Sequence, residues 1–600
     1  MFARPLAALS IALLVAPCAI AFAGGADLDL VAGWRVSWFE RAGLAIALAT
    51  AFAAWLFEVK GALAWRIVAT LAAFQCLMVG LVAWGGGFEV GTLSVRHTIS
   101  PALIGAGLLG VAWLRGVRGA GRPGILRLAA RVSLPPAAGA LLLGAVLRAD
   151  AVDLERRMAA SRPARQGTDV IFVLVDTLRA DALGVHGAKP SPSPFLDGFA
   201  GGAVRFELAV AQSPWTLPSV WSLMASLHPS TLDPEKRGFA NRRAIGRKPD
   251  ARVGRLAAQL RASGWHTAGF QKNPLLSPGC GLELGFDVYE PVGGDRAELH
   301  SAAQLVDAAL RWADSFSRAR RRGLASPFFL YLHFMEPHIN YQPPPDFVPP
   351  EARDYDGPVD GTAHSIHALL ESPEGLRPSD VAQMRALYRG DVAYLDAQLE
   401  RLFRSLRDLG LWTDRSLVVF VSDHGEQFGE HGGYEHGDVH VENVRVPLWF
   451  RGAGLEPRGV SDVVRLVDVA PTLLDLLGVA PLPAAEGRSV VALLHGRPLD
   501  PLPAITEYGP RVRVTDRRFS LVRSKDGAQL FDLSVDPGEK TDLARVLPAP
   551  VAALEGALAA HDARERPLPE DVLRGRALDP ETREALEEMG YLRPRGEGGE

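Results

Sequence analysis

Five runs in the first 150 residues carry almost no charge: Leu6–Ala23, Ala42–Phe57, Ile67–Trp84, Ile99–Leu114 and Val132–Leu147. Each holds 16 to 18 residues, slightly short of the roughly 20 that a helix needs to cross a hydrocarbon core about 30 Å thick. Trp34, Trp38, Trp55, Trp65, Trp84 and Trp113 stand near the run ends, where an interfacial aromatic belt would complete each span. No charged amphipathic partner lies between the runs, so the pattern predicts about five transmembrane helices rather than buried helices of a soluble core. Beyond residue 167 the pattern changes. Asp169–Val175 is a continuous apolar run rich in β-branched residues, as in a strand buried on both faces. His266–Phe270, Phe328–His333 and Ser416–Val421 are similar. Between them, Ser301–Arg322 and Pro378–Leu409 repeat apolar residues at helical spacing, the second led by Ser379-Asp380 as N-cap and closed by Gly410. Strand, long helix, strand predicts an α/β fold, a mostly parallel sheet sandwiched by helices. Such sheets put function just beyond the carboxyl ends of their strands.

Composition turns this change of pattern into a domain plan. The 600 residues have a formal net charge of −4, but the first 150 hold 12 Lys/Arg and 6 Asp/Glu, against 52 and 62 in the other 450. A single homogeneous globule is excluded, and so is wholesale disorder. The absence of a dominant basic block argues against a nucleic-acid partner. Arg115, Arg118, Arg122, Arg127 and Arg131 crowd the connection between the fourth and fifth runs, whereas the connection before it has only Arg96. The Arg-rich connection belongs on the cytoplasmic side, so the chain emerges from the fifth run outside, in a periplasmic or cell-surface position. The first run also fits a signal peptide, with Ala21-Phe22-Ala23 as its cleavage site, and this leaves the outcome unchanged. The plan is a membrane domain at 1–150, a linker at 151–167, a catalytic domain at 168–545 and a helical tail at 546–600. Cys18, Cys76 and Cys280 are too few for a disulfide framework or a Cys-rich zinc site.

The segments after the strands carry the candidate chemistry. Asp176 follows the first, Lys272 and Asn273 the second, His338 the third, and Asp423-His424 the fourth. Two carboxylates and an imidazole suit a divalent cation such as zinc, manganese or magnesium. Ser213–Leu223 reads as a loop entering a helix, with Thr216 at the N-cap and Pro218 in the first turn. A hydroxyl there faces free N–H groups that attract anions, and a neighbouring metal would turn it into a nucleophile.

Five segments resemble, in order, the sulfatase family of the alkaline phosphatase superfamily: VDTLRADALGVHG, SPWTLPSVWSLMASLHP, FLYLHFMEPH, VVFVSDHGEQFGEHGGYEHG with VRVPLWFRG, and QLFDLSVDPGEKTDLA. The resemblance spans roughly residues 168–540 and implies the alkaline-phosphatase-like fold. It implies one divalent ion (Mn, Zn, Mg or Ca) held by Asp176, Asp423, His424 and Thr216. It further implies that His338 and His436 meet the substrate, with Lys272, Asn273 and His431 lining the pocket, His440 being a weaker candidate and Arg179 and Asp181 structural. The apolar front resembles that of the lipid-linked phosphoglycerol transferases (lipoteichoic acid synthases) and phosphoethanolamine transferases of the same superfamily. This implies a lipid bilayer as partner and an anionic ester substrate, lipid-linked or part of an envelope glycan. Three positions depart from the usual sulfatase pattern: Thr216 stands for the Cys or Ser that becomes formylglycine, Val220 for an Arg, and Thr177 for a second Asp. The expectation is therefore phosphoester chemistry through a threonine. Sulfuric-ester hydrolysis without formylglycine and a non-catalytic anion-binding domain are the alternatives. Residues 353–377 are expected to form a mobile insertion, and Tyr341–Pro350 an extended Pro-rich loop.

Overall fold

The computed structural model describes residues 167–564, apart from 233–246, 293–300, 324–325 and 374, with a few further positions between 568 and 586. The five apolar runs and most of the linker lie outside the described residues, among which no helix is long and apolar enough to cross a membrane.

A nine-stranded sheet organises the domain. Its strands are β1 (Val170–Val175), β2 (Val204–Val210), β3 (His266–Gln271), β4 (Val288–Pro291), β5 (Phe328–Phe334), β6 (Leu417–Ser422), β7 (Arg445–Val446), β8 (Leu448–Gly452) and β9 (Arg458–Arg465). They lie in the order β7-β2-β8-β6-β1-β5-β3-β4, with β9 beside β2. β6, β1, β5, β3 and β4 run parallel. β8 is antiparallel to both β6 and β2, which makes the sheet mixed but mostly parallel. The four strands predicted from the sequence agree with β1, β3, β5 and β6 to within one residue at either end.

The helices are α1 (Pro194–Gly201), α2 (Thr216–Ala225), α3 (Leu256–Ala262), α4 (Ser301–Arg321), α5 (Ala363–Glu371), α6 (Pro378–Asp408), α7 (Val469–Leu476) and α8 (Pro548–Ala563). Side chains alternate across a strand, and both faces of the central strands are buried. Phe172, Leu174, Val419 and Val421 pack with α2, α3 and α7 on one side. Ile171, Val173, Val418 and Phe420 pack with α1, α4 and α6 on the other. That is why these strands read as continuous apolar runs.

A four-stranded antiparallel sheet follows: β10 (Ala504–Tyr508), β11 (Arg511–Thr515), β12 (Phe519–Ser524) and β13 (Gly527–Asp532). α8 packs on it through Leu554 and Leu558, against Ile505 and Leu521, so the described part of the tail shares a core with the residues before it. The small sheet also reaches the segment before α2. Thr506 Oγ1 donates to Ala211 O at 2.6 Å and Glu507 N to Gln212 O at 2.8 Å.

Two local expectations, both of helix caps, need correction. Thr216 is the first residue of α2 and Trp215 its N-cap. The N-cap of α6 is Arg377, with Pro378 in the first turn and Asp380 reaching back to the Arg377 N–H at 2.8 Å. Within 353–377 lies α5, which Thr362 caps by accepting from Ser365 N at 3.1 Å and which buries its own Ile366.

Candidate functional site

β1 and β6 are adjacent and in register, Val175 opposite Ser422, so Asp176 and Asp423 leave the sheet side by side. The turn after β1 is held in an uncommon shape. Thr177, a β-branched residue, has φ 52°, a conformation that persists only when its surroundings enforce it. Its N–H reaches Asp423 Oδ1 at 3.4 Å, and its carbonyl accepts from the Tyr388 hydroxyl of α6 at 2.8 Å. After β6, Gly425 passes so close to the backbone of Glu442 that a Cβ would lie 2.0 Å from its carbonyl oxygen.

Thr216 is delivered from the opposite side by α2. Its Oγ1 lies 3.4 Å from Asp176 Oδ2 and 3.4 Å from His424 Nε2. His424 Nε2 is in turn 3.5 Å from Asp176 Oδ1 and 3.6 Å from Asp423 Oδ2. His424 Nδ1 faces Gly425 O at 3.0 Å, which puts the proton on Nδ1 and leaves the Nε2 lone pair facing the carboxylates. Asn273, in the turn after β3, donates from Nδ2 to Asp176 Oδ2 at 2.7 Å. All of these side chains are buried.

The charge pattern matches a cation-binding role. Burial and the nearby Asp176 carboxylate push Asp423 well above the ordinary carboxylate range. Burial acts on Asp176 in the same direction, but His338, His333 and His424 outweigh it and hold Asp176 low. Burial also lowers His424 to about 3, so its ring is neutral at physiological pH. Asp176 Oδ1 and Asp423 Oδ2 are buried without a hydrogen-bond partner among the described residues. Two such carboxylates are costly unless a cation meets them, and the donor set suits a divalent ion.

Two imidazoles lie beside this cluster. The His436 ring is 4.8 Å from that of His424 and 5.2 Å from that of His338. His436 comes from the loop after the short strands Gln427–Phe428 and Tyr434–Glu435, and its Nδ1 meets Glu426 Oε1 at 3.1 Å. Burial disfavours the imidazolium, yet Glu426, with Glu435 and Asp176, outweighs it and raises His436 to about 9. His436 is thus a buried cation beside a neutral His424.

Not every predicted residue joins the cluster. The Lys272 ammonium donates to Gln304 of α4 at 3.2 Å. His431 stacks on His440 with ring centroids 4.0 Å apart and spans Glu442 and the Glu539 carbonyl, at 2.8 and 2.9 Å. Arg179 ties the turn after β1 to the loop beyond β6 by pairing with Asp181 and Glu430, at 2.7 and 2.6 Å. The sequence reading missed His333, whose Nε2 lies 3.4 Å from Asp176 Oδ2. Its donor atom falls within 4.8 Å of those of Asp176 and Asp423. The available signal was a lone imidazole inside a buried strand.

A family model described as Sulfatase matches residues 168–479. An arylsulfatase of Clostridium perfringens is 24% identical over 443 residues, covering 62% of this chain and 90% of that protein. A choline-sulfatase of Rhizobium meliloti is 25% identical over 441 residues, covering 64% and 83%. Among solved structures, a phosphonate monoester hydrolase of Agrobacterium radiobacter shares the fold with a TM-score of 0.52 at 22% identity, covering 68% of this chain and all of that one.

Proposed function

The chain belongs to the sulfatase family, and from that premise we propose that it is a metal-dependent phosphoester hydrolase or transferase with Thr216 as its nucleophile. The observation that carries this reading is the residue between the carboxylates and the α2 N-terminus: Thr216, 3.4 Å from both Asp176 and His424. A threonine cannot be converted to the aldehyde of formylglycine. Cys280, the one cysteine among the described residues, is buried elsewhere with its thiol on Leu276 O.

Asp176, Asp423 and His424 would hold the ion, with Thr216 on its open side. The bound ion supplies Lewis-acid charge, lowering the pKa of the hydroxyl and offsetting charge on the transferring group. Thr216 Oγ1 then forms a bond to phosphorus, its proton passing to solvent, while the bond to the leaving oxygen breaks. His436, held as an imidazolium, donates the proton that the departing alkoxide needs, and His338 contacts a non-bridging oxygen. Water or an acceptor alcohol displaces Oγ1 from the phosphothreonine and restores the hydroxyl. The five apolar runs and their Arg bias support membrane anchoring with the catalytic domain outside, acting on a lipid-linked or envelope-glycan ester. A second reading, sulfuric-ester hydrolysis, is favoured by the activities for which the two sequence relatives are named.

Parallel assays of the full chain on an aryl phosphodiester and an aryl sulfate, with and without added manganese or zinc, test the proposal. The expected result is ion-dependent release that is faster from the phosphodiester, with Thr216→Ala lowering kcat about 10³-fold or more. Full phosphodiester hydrolysis by Thr216→Ala overturns the threonine mechanism. Faster release from the aryl sulfate favours the second reading. No turnover and no bound ion would mean a non-catalytic domain.

A further inference from the structure

A second cluster of metal-ligating side chains lies away from the nucleophile. His228 follows α2, Glu507 sits on β10 and His561 on α8, and all three are buried. One donor atom from each falls within 4.8 Å of the others. His561 Nε2 is 3.0 Å from Glu507 Oε1, and the His228 and His561 rings meet edge to face at 4.5 Å.

Neighbouring charges leave Glu507 as the carboxylate of this cluster. Arg564 is paired with Glu486 at 2.7 Å, and Glu486 also accepts from His228 N at 2.6 Å. Arg465 is paired with Asp468. The second oxygen of Glu507 accepts from Ser230 N at 2.8 Å, which fixes the carboxylate plane. A simple ion pair between His561 and Glu507 would account for those two residues. It leaves His228 unexplained, because its Nδ1 is buried with no hydrogen-bond partner among the described residues.

We propose that His228, Glu507 and His561 form a zinc site that ties the end of the α2 segment to β10 and α8. Two imidazoles and a carboxylate suit this borderline ion. Tetrahedral bonds of about 2.0–2.1 Å require donors about 3.3 Å apart, so the donors need to close by at most about 1.5 Å. Water fills the fourth position.

The test uses full-length protein carrying Asp176→Asn and Asp423→Asn, which disable the carboxylates of the first cluster and separate this proposal from the catalytic one. After chelation, reconstitution with zinc and dialysis, this variant should retain one zinc per chain by mass spectrometry. Its X-ray absorption spectrum should show two imidazoles and no sulfur. Adding His228→Gln and His561→Gln should remove the zinc and abolish the zinc-dependent rise in thermal midpoint. Absence of retained zinc, or retained zinc lacking two-imidazole scattering, overturns the site. The spectrum of the double variant decides even if the quadruple variant fails to fold.

Discussion

His436 is held as a cation in a buried setting by Glu426, 3.1 Å away, together with Glu435 and Asp176, and this dependence has a definite sign. Its pKa rises from 6.5 when unfolded to about 9 when folded. The stabilisation is fully present below pH 6.5 and is lost as pH rises through 9, amounting to about 3 kcal/mol at most. Urea unfolding of chelator-treated protein checks this. The stability difference between wild type and His436→Gln should shrink from pH 6 to pH 10, and a difference that stays constant would refute the assignment. Most of the site was legible at this scale because Asp176, Asp423 and His424 directly follow apolar strands. Thr216 was legible because a hydroxyl stands two residues before Pro218, a proline suited to the first turn of a helix. His333 and Glu426 were not. An imidazole inside FFLYLHF reads as core, and a carboxylate in a Gly-rich loop reads as solvated until tertiary contacts bury it.

At the scale of elements, α6 shows how a long helix is stopped and aimed. Asp380 accepts from the Arg377 N–H and guanidinium, both at 2.8 Å, and from the Tyr355 hydroxyl at 2.6 Å. Asp380→Ala removes these bonds, with a fourth from Arg377 Nε at 3.0 Å, and should cost about 1–3 kcal/mol, read as a lowered midpoint in thermal unfolding. Eight residues further along, the same helix carries Tyr388 to the strained turn at Thr177, so the variant should also lower activity. Helix periodicity located α6 to within a residue of its end, but the cap was misplaced: Pro378 took the first-turn position and shifted the N-cap back to Arg377. α5 was missed as a helix because Ala363–Glu371 is short, and its cap at Thr362 is visible only beside its partner at Ser365. It matters to the site, since His367 of α5 pairs with Glu435, the neighbour of His436.

For the whole molecule, the facing carboxylates of Asp176 and Asp423, with oxygens unpartnered among the described residues, would make stability depend on a bound cation. Chelation should lower the thermal midpoint and saturating ion should restore it, the ion adding about 4 kcal/mol of stability when free ion exceeds Kd a thousandfold. A midpoint indifferent to both would argue against an ion at Asp176 and Asp423. The α/β class was readable from strand and helix alternation, but strand order was not, because antiparallel β8 enters between β6 and β2 through contacts far apart in sequence. That long-range wiring governs how the site comes into being. The residues before α2 are held by Thr506 and Glu507, the residue closing it, Ser226, binds Val467 O, and His228 N binds Glu486. A ribosome releases Thr216 long before any of these partners. Thr216 is therefore seated late in synthesis, and an unfinished chain carries it without the framework that surrounds it in the folded domain.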